Sequence, residues 1–402
     1  MFKRDTGRTT VALAVGTTIA GGLPVFLIGA LFVQLQGDLN APAWTLGFAV
    51  AVYWAVAAVV STMSGRVIGV IGSRRATIIS IAGAAVSLLG SALLSPTWPL
   101  LIVWAGLGGA ANGLGHPASN HLMTLRVPGS KLATAFGIKQ GAVPFAAFLA
   151  GLAVPVLALT LGWHWGFGLA SVLTVALLGA FLWLGPKRPP AGIKRARYTG
   201  KLGAPLVRYL ILMSSATTIG AAAAGAVSAF AVTAGVQRDV SDALAGILLS
   251  AGSLLGAVVR VVSGRIADRT GGRIALPLTA ALLATGAGGT ALISIDTSWT
   301  FVIGLILALG PGWGWTGLTH FVVSRAAGPA TPAATGIVQT GSYLGSGGGP
   351  LIFGIAFAIA GMAPGHTLIW LPVAALQLVA TIIVLVLIRT PPPPVPAAHA
   401  PH

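Results

Sequence analysis

The chain has no cysteine. Disulfides, thiolate metal sites and cysteine nucleophiles are therefore excluded. Glutamate is also absent, and the acidic residues are Asp5, Asp38, Asp239, Asp242, Asp268 and Asp296 alone. All six lie outside the long apolar runs. No carboxylate pair is available in those runs for acid–base work, and no carboxylate proton relay. Charge of any sign is scarce, at 7% of 402 residues. A soluble domain carries about 25%, so this chain cannot cover a water-facing surface.

What is present is apolar. Hydrophobic residues make up 55% of the chain, and the mean hydropathy is +0.92. These values describe an integral membrane protein whose first partner is the lipid bilayer. The net charge of +17 would suggest nucleic acid in a soluble protein. Here the basic residues are scattered between apolar runs, so they set membrane topology and imply no nucleic-acid partner. No nucleophile–base spacing or metal cluster occurs, so neither an enzyme nor a cofactor is expected.

A bilayer core about 30 Å thick needs about 20 apolar residues per helix. Twelve runs qualify, from Thr10–Gln34 to His366–Ile388. The predicted fold is all-α: twelve transmembrane helices in two pseudo-symmetric six-helix bundles. The predicted division is an N-terminal bundle over 1–185, a basic linker over 186–205, a C-terminal bundle over 206–389, and a disordered proline-rich tail over 390–402.

The two halves repeat. An offset of 199 residues, from Gly65 to Gly264, pairs Arg66 with Arg265, Gly113 with Gly312 and His121 with His320. The same offset pairs Arg126 with Arg325 and Gln140 with Gln339. A gap-free match of this extent reads as internal duplication. Connections on one side carry Arg66, Arg74, Arg75, Arg126, the linker, Arg265, Arg269, Arg273 and Arg325. The other side carries only Arg238 among the basic residues, with four aspartates. The positive-inside rule then places both termini in the cytoplasm of a multi-pass cell-membrane protein. Trp44, Trp98, Trp163, Trp165, Trp299 and Trp370 fall at the opposite helix ends, as an interfacial aromatic belt does.

The turn Gly264-Arg265-Ile266-Ala267-Asp268-Arg269-Thr270-Gly271-Gly272-Arg273 resembles the loop signature of the major facilitator superfamily. That signature lies between spans 2 and 3 and recurs between spans 8 and 9, and this chain has it in both places. In the first copy, at Gly65 and Arg66, Gly69 stands where the family has the aspartate matching Asp268. The resemblance implies two bundles that rock about a central site. Spans 1, 4, 7 and 10 would line the cavity, and spans 2, 5, 8 and 11 would form the seam. Gly65, Arg66, Gly264, Arg265, Asp268, Arg269, Gly271 and Arg273 would be switch-loop residues. Phe136-Gly137-Ile138-Lys139-Gln140-Gly141-Ala142-Val143-Pro144 is similar to a stretch of cyanate-permease-like carriers. Arg260 is similar in placement to the substrate arginine of monocarboxylate and oxalate carriers.

Lys139 is the sharpest single signal. It lies eight residues inside its span from Lys131, so ~12 Å deep. A lysine at such depth costs at least ~2.5 kcal/mol on insertion scales and should face a cavity or a partner. It reads either as the counter-charge of an anionic solute or as a lysine snorkelling to the surface. His116 sits at similar depth on the neighbouring span, with Trp315 as its repeat partner. It could exchange a proton with the transported solute, or simply hydrogen-bond within the bundle. Asn112, Asn120 and His121 extend its polar face. Gln140 and Gln339 are repeat-related amides on seam spans. Arg260 could bind an anion or brace the turn after span 8. Trp313, Trp315, Tyr53 and Trp54 offer aromatic walls or plain packing. Gly21-Gly22-Leu23-Pro24 and the run Gly345 to Pro350 allow either bending or close packing.

The expected function is secondary transport of a small anionic solute by a monomer. Export of a neutral or amphipathic compound is one alternative, and a non-transporting receptor on the same scaffold is another.

Overall fold

A computed structural model describes residues 6–186, 203–360 and 366–390. Most of the basic linker and nearly all of the proline-rich tail lie outside the described residues. The described residues are almost wholly helical and include no strand. This is what a bilayer demands, because a helix satisfies its own backbone hydrogen bonds where water cannot.

Eleven helical stretches are long and apolar enough to cross a membrane. In the first half these are α1 (Thr6–Ala30), α3 (Trp44–Ile71), α4 (Ser73–Leu93), α6 (Gly129–Ala153) and α8 (Trp163–Leu184). In the second half they are α9 (Ala204–Val236), α10 (Asp242–Arg269), α11 (Ala275–Ile293), the pair α12 (Ser298–Leu309) and α13 (Thr316–Ala327), α14 (Thr331–Ala360) and α15 (Trp370–Arg389). The twelfth span is α5 (Trp98–Arg126), of 29 residues. Asn112, His116, Asn120 and His121 dilute its apolar character. The short helices α2 (Phe32–Leu39) and α7 (Leu159–Leu161) extend the first and fifth spans.

The repeat is visible in the helix bounds. Shifting α3 by 199 residues gives 243–270, against Asp242–Arg269 for α10. Within the first half α1 packs on α5 and α6, α3 on α5, and α4 on α5 and α8. Within the second half α9 packs on α14 and α15, α11 on α12 and α15, and α10 on α12. The halves meet chiefly along α6 with α10 and α3 with α14, and to a lesser extent along α1 with α9. These are the seam spans 2, 5, 8 and 11 that the family resemblance implied.

Three predicted runs are interrupted. The first breaks at Leu31, after Pro24, which stays inside the helix. The fifth passes through a π-turn at Val154–Ala158. The tenth breaks between α12 and α13, where Gly310-Pro311-Gly312-Trp313 tightens into a 3₁₀ turn. Proline lacks the N–H that would continue the helical ladder. The glycines of α14 pack closely: Cβ atoms at Gly345 and Gly349 would collide with the Thr218 and Ala222 carbonyls of α9.

The seam is not uniform along its length. Down α6 toward the arginine-rich face, a Cβ at Gly151 would lie 2.6 Å from the Gly246 carbonyl of α10. At Gly141 the nearest atom of α10 is 3.9 Å away, and at Gly137 nothing lies within 4 Å. Along α3 and α14, Gly47 presses on Pro350 and Gly354, whereas Gly65 and Gly336 meet nothing. The Gln34 side-chain amide donates to Asp242 at 2.7 Å across the closed end. The halves are therefore shut at the aspartate-bearing face and splayed at the arginine-bearing face.

The expected tryptophan belt is partial. Trp44, Trp165 and Trp299 are exposed, but Trp163 and Trp370 are buried. Trp163 donates its indole N–H to Asp38 at 2.8 Å, and Trp370 packs 4.3 Å from Phe353. These two positions found protein partners in preference to the interface.

Candidate functional site

Lys139 is 2% exposed. Its ammonium donates to the His116 carbonyl at 3.2 Å and to Asn120 Oδ1 at 2.5 Å, both on α5. It does not snorkel. The similar depth of Lys139 and His116 on neighbouring spans is realised as direct contact. One of the three ammonium hydrogens remains for a further acceptor.

Arg260 is also buried, on α10. Its Nε and Nη2 donate to the Trp313 carbonyl at 3.2 and 3.1 Å. Its Nη1 crosses the seam to the Gln140 carbonyl at 2.8 Å. The guanidinium carbon sits 5.3 Å from the Trp313 ring centroid, a cation–π distance. Arg260 thus does not brace the turn after α10. That turn is held instead by Arg325, whose Nη1 donates to Gly271 O at 2.5 Å. Two of the five guanidinium N–H groups of Arg260 are left over. The break between α12 and α13 explains the arginine's partner, since the last carbonyls before an irregular turn lack helical donors.

His320 completes the band. Its Nε2 lies 3.1 Å from Gln339 Oε1, and its Nδ1 lies 2.9 Å from the Thr316 carbonyl. His116 is within electrostatic reach of both Lys139 and His320, and His320 of Arg260. Two buried cations and two histidines from both halves thus share one layer. Among the described residues, only neutral oxygens bond the two cations, and no carboxylate does.

Two predicted site residues lie apart from this layer. Asn112 is buried beside Gly21 of α1, with its amide nitrogen unpartnered among the described residues. Trp315 is buried in the C-terminal bundle with its ring against Gly220 and Leu283. Arg66, Arg265, Asp268, Arg269 and Arg273 are exposed at the splayed face, as are Gly65 and Gly271, while Gly264 is half-buried.

Between the halves, nearer the closed end, is a small central cavity. It is lined by Val25, Phe26 and Gly29 of α1, Val50 and Trp54 of α3, and Ala147 of α6. Gly225, Ser228 and Ala229 of α9, Leu249 of α10, Trp313 and Ser346 of α14 close the other side. Spans 1, 7 and 10 line it as the resemblance implied, but α5 does not. Glycines draw α5 into its own bundle instead: Gly109 against the Tyr53 backbone and Gly113 against Ala57. Trp54 and Trp313 were legible as candidate walls. Apart from Ser228 and Ser346 the remaining lining is apolar, which in a chain of this composition carries no signal.

The comparisons with known proteins agree with this architecture. The family model for the Major Facilitator Superfamily matches residues 13–350. The chain belongs to the major facilitator superfamily. Among solved structures it is similar to a bacterial homologue of the human lysosomal transporter Spinster, in an inward-facing and occupied conformation. That match has a TM-score of 0.72 at 14% identity, covering 97% of this chain and 98% of the other. It is also similar to the nucleoside transporter NupG, with a TM-score of 0.69 at 14% identity, covering 94% and 99%. No curated protein matches by sequence. The chain is thus a multi-pass membrane protein with a transporter's fold, and family membership indicates a carrier of small molecules rather than an enzyme.

Proposed function

We propose that the protein is a secondary transporter of a small anion, working by alternating access about the Lys139–Arg260 layer. One observation carries this reading. Both cations are buried within membrane spans, hold spare N–H donors and, among the described residues, have only carbonyl and amide oxygens as partners. A buried charge without a counter-ion is costly, and a mobile anion would supply the missing charge. Lys139 and Arg260 would bind it. Gln140, Gln339 and His116 would border it, with Asn112 and Trp315 supporting the surrounding helices. His116 and His320 are the groups through which proton coupling would run, since no carboxylate is available.

The arginine-rich face is assigned to the cytoplasm by the positive-inside rule, which makes the splayed state inward-facing and puts both termini inside. The bundles would be 1–185 and 206–389, acting as a monomer, with the glycine- and arginine-rich turns as inner latches.

The test is uptake of radiolabelled acetate, formate and nitrate into proteoliposomes. Lys139→Ala should abolish uptake of whichever anion the parent carries. Undiminished flux would remove Lys139 from the mechanism. The apolar lining of the central cavity favours a second reading, export of a neutral or amphipathic compound. Lipophilic cations and neutral solutes in the same assay separate the two.

A further inference from the structure

The cavity and the cation layer adjoin through one residue, and their chemistry differs sharply. Trp313 belongs to both. Its carbonyl accepts two hydrogen bonds from Arg260, and its ring lines the cavity. The Phe26 ring meets the Trp313 ring edge-on at 5.9 Å, and Trp54 stacks on Tyr343 at 5.5 Å. The lining carries no charged side chain, and its polar side chains are Ser228 and Ser346. The Ser228 hydroxyl is buried and has no hydrogen-bond partner among the described residues. A serine in a helix ordinarily bonds the carbonyl one turn back. This one is left open beside the cavity.

We infer that the solute is an organic monoanion with a compact apolar body. The inference rests on the anion reading above. Its charged head sits at Lys139 and Arg260, and its body enters the space between Phe26, Trp54 and Trp313. An inorganic anion would leave that lining unused. A dicarboxylate would push its second charge among apolar side chains, where nothing compensates its lost hydration. The space between these side chains is small, so the body is short. Alternation then has a physical basis, because head and body together bridge elements of both halves.

The experiment is calorimetric titration of the purified full-length protein with formate, acetate, propanoate and butanoate. Nitrate, succinate and butanamide complete the panel. Each methylene that enters the cavity should tighten binding about fourfold. Ala147→Leu, and independently Ser346→Leu from the other half, should flatten that series by weakening butanoate more than formate. Lys139→Met should weaken all the carboxylates together. If formate and nitrate bind as tightly as butanoate, the apolar body is refuted while the anion site stands. If succinate binds as tightly as butanoate, the single charge is refuted. If butanamide matches butanoate and ignores Lys139→Met, the anion reading itself falls. Binding of none of the acids would overturn both.

Discussion

The tightest test of the rocking-bundle reading is Gly151→Ala. The new methyl carbon would sit 2.6 Å from the Gly246 carbonyl and 2.9 Å from the Ser250 backbone nitrogen, both on α10. Ordinary van der Waals contact begins at 3.4 Å, so α6 and α10 must part by 3.4 − 2.6 = 0.8 Å. The Ser250 hydroxyl, which is closer still, can rotate away, but the Gly246 carbonyl and the Ser250 nitrogen are backbone and cannot. Overpacking of this kind costs about 1–3 kcal/mol. The close neighbours all lie across the seam, so the cost falls on the state closed at the aspartate-bearing face and vanishes when that face opens. The odds of the state open at that face should rise by about 5- to 150-fold, taking 1.4 kcal/mol as tenfold.

Because the chain has no cysteine, a spin-label pair at Pro42→Cys and Trp299→Cys reports without background. These exposed positions flank the closed face, one on each half. Pulsed dipolar spectroscopy should show a longer-distance population growing in Gly151→Ala. Gly246→Ala should act in the same direction, since its methyl would lie 2.7 Å from the Gly151 carbonyl. Gly141→Ala, with its nearest neighbour at 3.9 Å, should leave the distribution unchanged. An unaltered distribution in folded Gly151→Ala would refute the idea that this seam closes the carrier.

Three other outcomes are expected. Arg238→Ala should lower the melting temperature measured in detergent. Its guanidinium bonds the Ala234 and Ile293 carbonyls at 2.8 and 2.7 Å, beyond the end of α9. Hydrogen bonds from a charged group contribute about 1.5–3 kcal/mol each. Gly272→Ala should destabilise more than Gly271→Ala in the same assay. Both positions have positive φ, at 80° and 60°, a region that costs a residue with a side chain about 1–2 kcal/mol. Only Gly272 is also crowded, by Arg325 and Phe321. Asn120→Ala removes one of the two acceptors of Lys139. If Lys139 binds the solute, this variant should change the apparent affinity in uptake assays more than the melting temperature; an equal KM would count against that role.

Much of the candidate cation layer was readable before the fold. Lys139 stood out because a lysine deep in an apolar run must be compensated, and its neighbour His116 followed from matched depth on adjacent spans. The compensation itself was not readable. Arg260 and Lys139 are held largely by the main-chain carbonyls of Trp313, Gln140 and His116, and every residue has a carbonyl. The lost helical turn before Trp315 was signalled only by Gly310-Pro311-Gly312, which in a membrane helix is as compatible with close packing.

The sequence by itself determined the membrane class, the spans, the duplication and the charge asymmetry. Each of these is a sum or spacing of local transfer preferences and needs no partner helix. Only the tertiary structure decided which faces meet, which end of the seam is shut, and that the cation layer borders an apolar cavity. In a chain apolar on almost every helical face, hydrophobicity cannot say which side points inward. Small residues and backbone shape make that choice, and they act only when two helices are brought together.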